Sequence, residues 1–163
     1  MINHKKGFTL IELLIVIGIL GILAVGLLAA LDPIEQLRRG RDSNRKRVAT
    51  EYQQAIVRYN AVTGTYPWGT GTPPNTTLSG WSSVTTTLIG ASELKSSFTS
   101  ASSAYASGTN GITITYDATT SEVVACFLPE SKGEKANYAT LYANVTGTAV
   151  CGGATSTCYY CIR

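Results

Sequence analysis

Polar and apolar positions divide the chain into three stretches with different periods. From Leu13 to Leu31, nineteen consecutive residues carry no polar side chain. At ~1.5 Å per residue a helix of that length spans about 28 Å, close to the hydrocarbon thickness of a bilayer. Gly18, Gly21 and Gly26 lie inside it. Each would cost ~1 kcal/mol against Ala in a soluble helix, whereas membrane helices use small residues for close contact. Asp32-Pro33 then interrupts the run, because Pro33 removes a backbone donor and disfavours helix at Asp32. A kink or short melted stretch is expected there.

The second stretch is amphipathic. Glu35-Gln36-Leu37-Arg38-Arg39 resumes helical composition, and Val48, Tyr52, Ala55, Ile56 and Tyr59 follow at steps of four, three, one and three. That spacing puts them on one helical stripe, with Arg47, Glu51, Gln54 and Arg58 turned elsewhere. The stripe needs a surface to cover it. A straight helix from Phe8 to Asn60 would be about 80 Å long. Thr63-Gly64-Thr65-Tyr66-Pro67 ends it with a Gly and then a Pro.

The third stretch begins irregularly. Gly69 to Ser83 reads as a loop pinned by Trp68 and Trp81, and Thr85 to Phe98 as a short helix with Leu88, Leu94 and Phe98 inward. Ser96 to Gly111 is a small-residue linker. After Gly111 the period becomes two. Ile112, Ile114 and Tyr116 alternate with threonines, and residues 117–121 turn the chain. The returning strand buries either Val123, Ala125 and Phe127 or the opposite set Val124, Cys126 and Leu128. Asn137 to Val145 and Cys158 to Ile162 are read as two further strands. The fold class is α+β: a long N-terminal spine helix, transmembrane in its first half, packed on a small C-terminal antiparallel sheet.

Length and charge add bounds. The 163 residues suffice for one membrane-type helix and one domain of about 100 residues. The net charge of +3 is unevenly spread: residues 32–60 carry +3 and residues 61–163 carry −1. Such a balance gives no general case for nucleic-acid binding. Cys126, Cys151, Cys158 and Cys161 all fall in the last 38 residues. Downstream of an export signal, an even count points to two disulfides in an oxidising compartment, with three pairings open. Cys158-Tyr-Tyr-Cys161 has redox or half-zinc-site spacing, but no second such pair exists and the only histidine is His4. Structural disulfides are the better reading.

The start of the chain carries the candidate chemistry. Lys5-Lys6-Gly7-Phe8-Thr9-Leu10-Ile11-Glu12 runs into Leu13-Leu14-Ile15-Val16-Ile17. An ionised Glu at bilayer depth costs roughly 2.5–3.5 kcal/mol, so it implies a partner. The string KKGFTLIELLIVI resembles the amino terminus of type IV prepilins and of type II secretion pseudopilins. YNAVTGTYPWG, from Tyr59 to Gly69, loosely resembles the place where the pilin spine helix ends in a Tyr-Pro turn. A secretory signal peptide is the competing reading, but its apolar core is normally ~7–15 residues and a Glu inside it is unexpected.

The resemblance implies a pilin-like fold and four regions: a leader at 1–7, a transmembrane and assembly helix at 8–31, an amphipathic continuation at 32–62, and an exported α+β domain at 63–163. It implies that prepilin peptidase cuts between Gly7 and Phe8 and that the new amino group of Phe8 is methylated. Glu12 would then pair with the amino terminus of a neighbouring subunit, and such a buried pair makes misregistered packing costly. The implied partners are further copies of the chain and other pilins, the peptidase, an inner-membrane assembly platform, and lipid before assembly. The precursor would sit in the inner membrane, and the product in a surface pilus or a periplasmic pseudopilus. Alternatives are a pseudopilin of a secretion or competence system and, in another class, a membrane-anchored domain that does not polymerise.

Several features pull elsewhere. Arg38, Arg39, Arg41, Arg45, Lys46 and Arg47 outnumber Lys5 and Lys6, so a count of basic residues alone would keep the downstream domain inside. The motif and the cysteines argue for export. The basic run is read first as a solvated or headgroup-facing surface, because Asp32, Glu35 and Asp42 interleave with it, and second as ion pairs to neighbouring subunits. Nucleic acid is a third candidate partner, unsupported by interleaved aromatics. Tyr138, Tyr142, Tyr159 and Tyr160 suit strand packing, and Asn75 and Asn144 open Asn-X-Thr patterns. Asp117, Glu122, Glu130 and Glu134 are too scattered to propose a calcium site. With no cofactor loop, metal cluster or nucleophile–base pair in the sequence, the chain is not read as an enzyme.

Overall fold

The computed structural model describes residues 7–30, 32–71, 73–108, 111–137, 140–152 and 157–163. The chain divides into two compact units, Met1–Leu37 and Arg38–Arg163.

The first unit is built on helix α1, Leu10–Ala30. Every described residue from Gly7 to Leu28 is exposed, so the apolar surface of α1 has no cover from its own chain. The stretch Leu10–Leu28 is long and apolar enough to cross a membrane. Helix α2 runs Pro33–Thr63. Leu31 lies outside the described residues, and Asp32 is not helical. Asp32 is the cap of the new helix: its Oδ1 accepts from the Glu35 backbone N–H at 3.1 Å, and its carbonyl accepts from Gln36 at 3.2 Å. Pro33 occupies the first helical position, where a missing N–H leaves nothing unsatisfied. The Asp-Pro pair thus restarts a helix as well as interrupting one.

In the second unit α2 presents its stripe to a closed core. Val48, Ala49, Tyr52, Ala55 and Ile56 are buried, with Tyr59 packed at the margin. Opposite lies a four-stranded antiparallel sheet in the order β1 (Thr76–Thr77), β2 (Thr113–Asp117), β3 (Glu122–Phe127), β4 (Tyr160–Ile162). The β2–β3 hairpin pairs Thr113 with Cys126 and Asp117 with Glu122. In its turn the Asp117 carboxylate accepts from the Thr119 backbone N–H at 2.8 Å, which holds its pKa below the usual value. Tyr52 stacks near Phe98 and meets the edge of Trp81. Its hydroxyl lies 3.0 Å from Thr85 Oγ1, and burial pushes the phenol pKa up.

Some expectations are corrected. Both faces of β3 are buried, not one. Val123, Ala125 and Phe127 join the main core, while on the other face the Cys126 sulfur lies 3.1 Å from the Val145 carbonyl, so the segment near residue 145 covers that side. Residues 123–128 form a continuous apolar run, the pattern of a strand covered on both faces, so a one-faced reading is too narrow. Asn137 to Val145 is not a strand among the described residues. Tyr142 makes only isolated bridges to Val150 and Tyr159, and Leu141 packs on Cys151 and Cys158; Tyr138 lies outside the described residues. Ser96 to Gly111 is more than a linker. It holds helix α4, Phe98–Ser102, and a 3-10 turn, Ser103–Tyr105. The presumed loop Gly69 to Ser83 likewise contains β1 and a 3-10 turn, Leu78–Trp81, that leads into helix α3, Ser82–Gly90. Leu88, Leu94 and Phe98 do point inward.

Candidate functional site

The chain around the expected processing junction is non-helical: Gly7, Phe8 and Thr9 precede the first turn of α1, and Phe8 is 81% exposed. Thr9 caps the helix. Its Oγ1 accepts from the Glu12 backbone N–H at 3.3 Å, and Glu12 Oε2 accepts from the Thr9 backbone N–H at 2.9 Å and from Thr9 Oγ1–H at 2.7 Å. This reciprocal arrangement is a capping box, in which N-cap and third helical residue satisfy each other's orphan donors. The Glu12 carboxylate is therefore tied, within its own chain, to the helix start. Sequence reasoning passed over Thr9, although Thr-Leu-Ile-Glu ahead of an apolar run is the signature of such a cap.

The basic run is the second candidate: Arg39, Arg41 and Arg47 are exposed, as a solvated face requires, and the reading is corrected at Arg45 and Asp42. Arg45 and Asp42 are almost wholly buried, at 1% and 2% exposure, and so are not a solvated face. Asp42 accepts the backbone N–H groups of Glu130 and Ser131, the latter at 2.8 Å. Arg45 binds Asp42 at 3.1 Å, the Leu128 carbonyl at 3.2 Å and the Glu130 carboxylate. Arg41 reaches the same Glu130 at 2.9 Å, and Lys46 bonds Glu134 at 2.6 Å while lying 4.2 Å from the centre of the Tyr160 ring. Of the carboxylates that looked scattered in sequence, Glu130 and Glu134 are partners of this basic run, Glu122 pairs with Arg163, and Asp117 holds its own turn. Ser131 caps helix α5, Lys132–Lys135, by accepting from Glu134. The cluster clamps α2 to the segment after β3. Breaking such a buried pair is strongly destabilising because it strands a charge.

The cysteines pair as Cys126–Cys161 and Cys151–Cys158. The first joins directly opposed residues of β3 and β4, with Cα atoms 4.1 Å apart. It fastens the short last strand to the sheet. The second closes a small loop whose residues 153–156 lie outside the described ones. Among the described residues no group of three or more His, Cys, Asp or Glu could hold a metal ion.

Residues 2–28 match the family model described as the prokaryotic N-terminal methylation motif. Comparison with curated proteins and with solved structures finds no match. The matched segment includes Gly7, Phe8, the Thr9–Glu12 box and most of α1, and an α+β fold with an antiparallel sheet follows it. The chain therefore carries the N-terminal signature of type IV pilins and pseudopilins, the substrates of prepilin peptidase, on a pilin-like fold.

Proposed function

We propose that the chain is a structural subunit of a type IV pilus-like filament. It is made as an inner-membrane precursor, cut between Gly7 and Phe8, methylated on Phe8, and polymerised through α1 with further copies and other pilins by an inner-membrane assembly platform. One observation carries this reading: a matched methylation motif sits on a bilayer-length helix that its own chain leaves entirely exposed. Lipid covers that surface before assembly, and neighbouring α1 helices replace it afterwards. Glu12 sets the register, because a bundle that leaves a carboxylate without a cationic partner is strongly disfavoured. The role is one of assembly rather than catalysis.

The test is the intact mass of the protein from sheared surface material and, separately, from membranes. A mass that lacks residues 1–7, bears one extra methyl and is four hydrogens short is expected in the sheared fraction. The same mass confined to membranes would make the chain a pseudopilin. An unprocessed mass, or loss of the whole apolar run, would overturn the filament reading.

A further inference from the structure

A cavity of about 210 Å³ opens in the second unit beside the C-terminal half of α2. Gln53, Val57 and Asn60 line it at steps of four and three, one row along the helix face. Tyr66, Glu122 and Arg163 line it as well, with Ser121 and Val123 of the hairpin. Gln53 is only 8% exposed, yet its carboxamide makes no hydrogen bond to any described residue; the half-buried Asn60 carboxamide makes none either. Neither amide is sealed from solvent: both face the open cavity, so their donors and acceptors are available to a molecule that enters it. Two such amides on one helical row, both lining one cavity, form a hydrogen-bonding surface open to a ligand.

The rest of the lining specifies the ligand. Tyr66 is held rigid, stacked on Trp68 at 4.5 Å and edge-on to Tyr116 at 4.9 Å, and its hydroxyl donates to the Ser121 carbonyl at 2.8 Å. It offers a ring, not a donor. Arg163 and Glu122 lie 3.7 Å apart, so their charges offset and the cavity is neutral. An anion would find its one guanidinium already opposed, and a divalent cation would find one carboxylate. A planar base stacks on a single ring as well, and adenosine is the competitor that tests for it. A sugar matches: its hydroxyls donate and accept as carboxamides do, its C–H face suits an aromatic ring, and the volume admits one hexose-sized unit. We propose that this cavity binds a neutral sugar unit, with Gln53 and Asn60 reading its hydroxyls and Tyr66 its apolar face.

The full chain in a detergent without a sugar headgroup, dodecylphosphocholine, permits a titration followed by NMR of the side-chain amides. The probes are glucose, galactose and N-acetylglucosamine at millimolar concentration, with adenosine and N-acetylglycine amide as competitors. Saturable shifts of the Gln53 and Asn60 amides and of the Tyr66 ring with at least one sugar are expected. Asn60→Ala, at a half-buried position, should weaken that binding roughly tenfold, the loss of about one hydrogen bond. Gln53→Ala should abolish it; if that variant does not fold, Glu122→Gln serves as the second probe, with weaker binding expected. No saturable shift with any sugar, shifts unchanged in Asn60→Ala, or saturation only by adenosine or the peptide amide would overturn the proposal. Because binding is read on unassembled protein, its failure leaves the filament reading untouched.

Discussion

Helix α1 and the Arg38–Thr63 part of α2 both carry apolar surface that must be covered, but they solve the burial problem in opposite ways. Helix α1 is apolar on every side and exposed throughout Leu10–Leu28, whereas α2 concentrates Val48, Tyr52, Ala55 and Ile56 on one buried stripe. A one-sided stripe is satisfied inside the chain by a sheet. An all-round apolar surface cannot be satisfied by one small domain and must find lipid or other chains. Carboxylates follow the same division. Asp42 and Glu130 in the second unit are met by Arg45, Arg41 and backbone amides, whereas among the described residues Glu12 is met by the residue that starts its own helix. The unit that completes itself should govern stability, and the unit that does not should govern assembly.

That division can be broken at several points. The largest effect is expected from Glu12→Ala: surface filament should disappear from the sheared fraction while thermal unfolding of the second unit stays where it was. A shifted melting curve, or filaments in normal amount, would show that the units are not separable in this way. Arg45→Ala should do the reverse and destabilise the second unit by about 3–5 kcal/mol in urea unfolding, because it strands the buried Asp42 carboxylate. Assembly would fall only as folded subunit becomes scarce. The disulfides should rank by the length of chain they close. Replacing Cys126 and Cys161 with Ser, at a separation of 35 residues, should cost roughly 4 kcal/mol, and replacing Cys151 and Cys158, at a separation of 7, roughly 2 kcal/mol. Equal losses would mean that strain or residual structure outweighs chain entropy.

The smallest effect sharpens the comparison at its other end. Thr9→Ala removes the cap and should cost α1 about 1 kcal/mol, seen as faster amide exchange over the first turn in micelles, with the second unit unmoved. Thr9→Ser should restore protection. If exchange in the first turn is unchanged in Thr9→Ala, the box contributes nothing to the helix start.

How much was legible depends on how far apart the interacting residues lie. The α2 stripe, the β2–β3 hairpin and the turn at Asp117 are local, and their period appears in the residues themselves. Asp42 and Arg45 stand three apart and could be paired on sight, but Glu130 and Ser131 lie more than eighty positions away. No pattern in the run Arg38–Arg47 distinguishes an arginine facing water from one clamped beneath a loop. The same limit hid β1, a strand of two residues that exists only because β2 lies beside it.

The sequence by itself determined the membrane-length helix, the processing motif with its capping box, the restart at Asp32-Pro33 and the α+β order. Each rests on interactions within a few residues, or on a continuous apolar run that no chain of this size could bury. Only the tertiary structure decided the cysteine pairing, which segment covers the second face of β3, the Arg45 clamp and the cavity beside α2. Those depend on which distant segments exclude water from each other, and a hydropathy period carries no record of the partner.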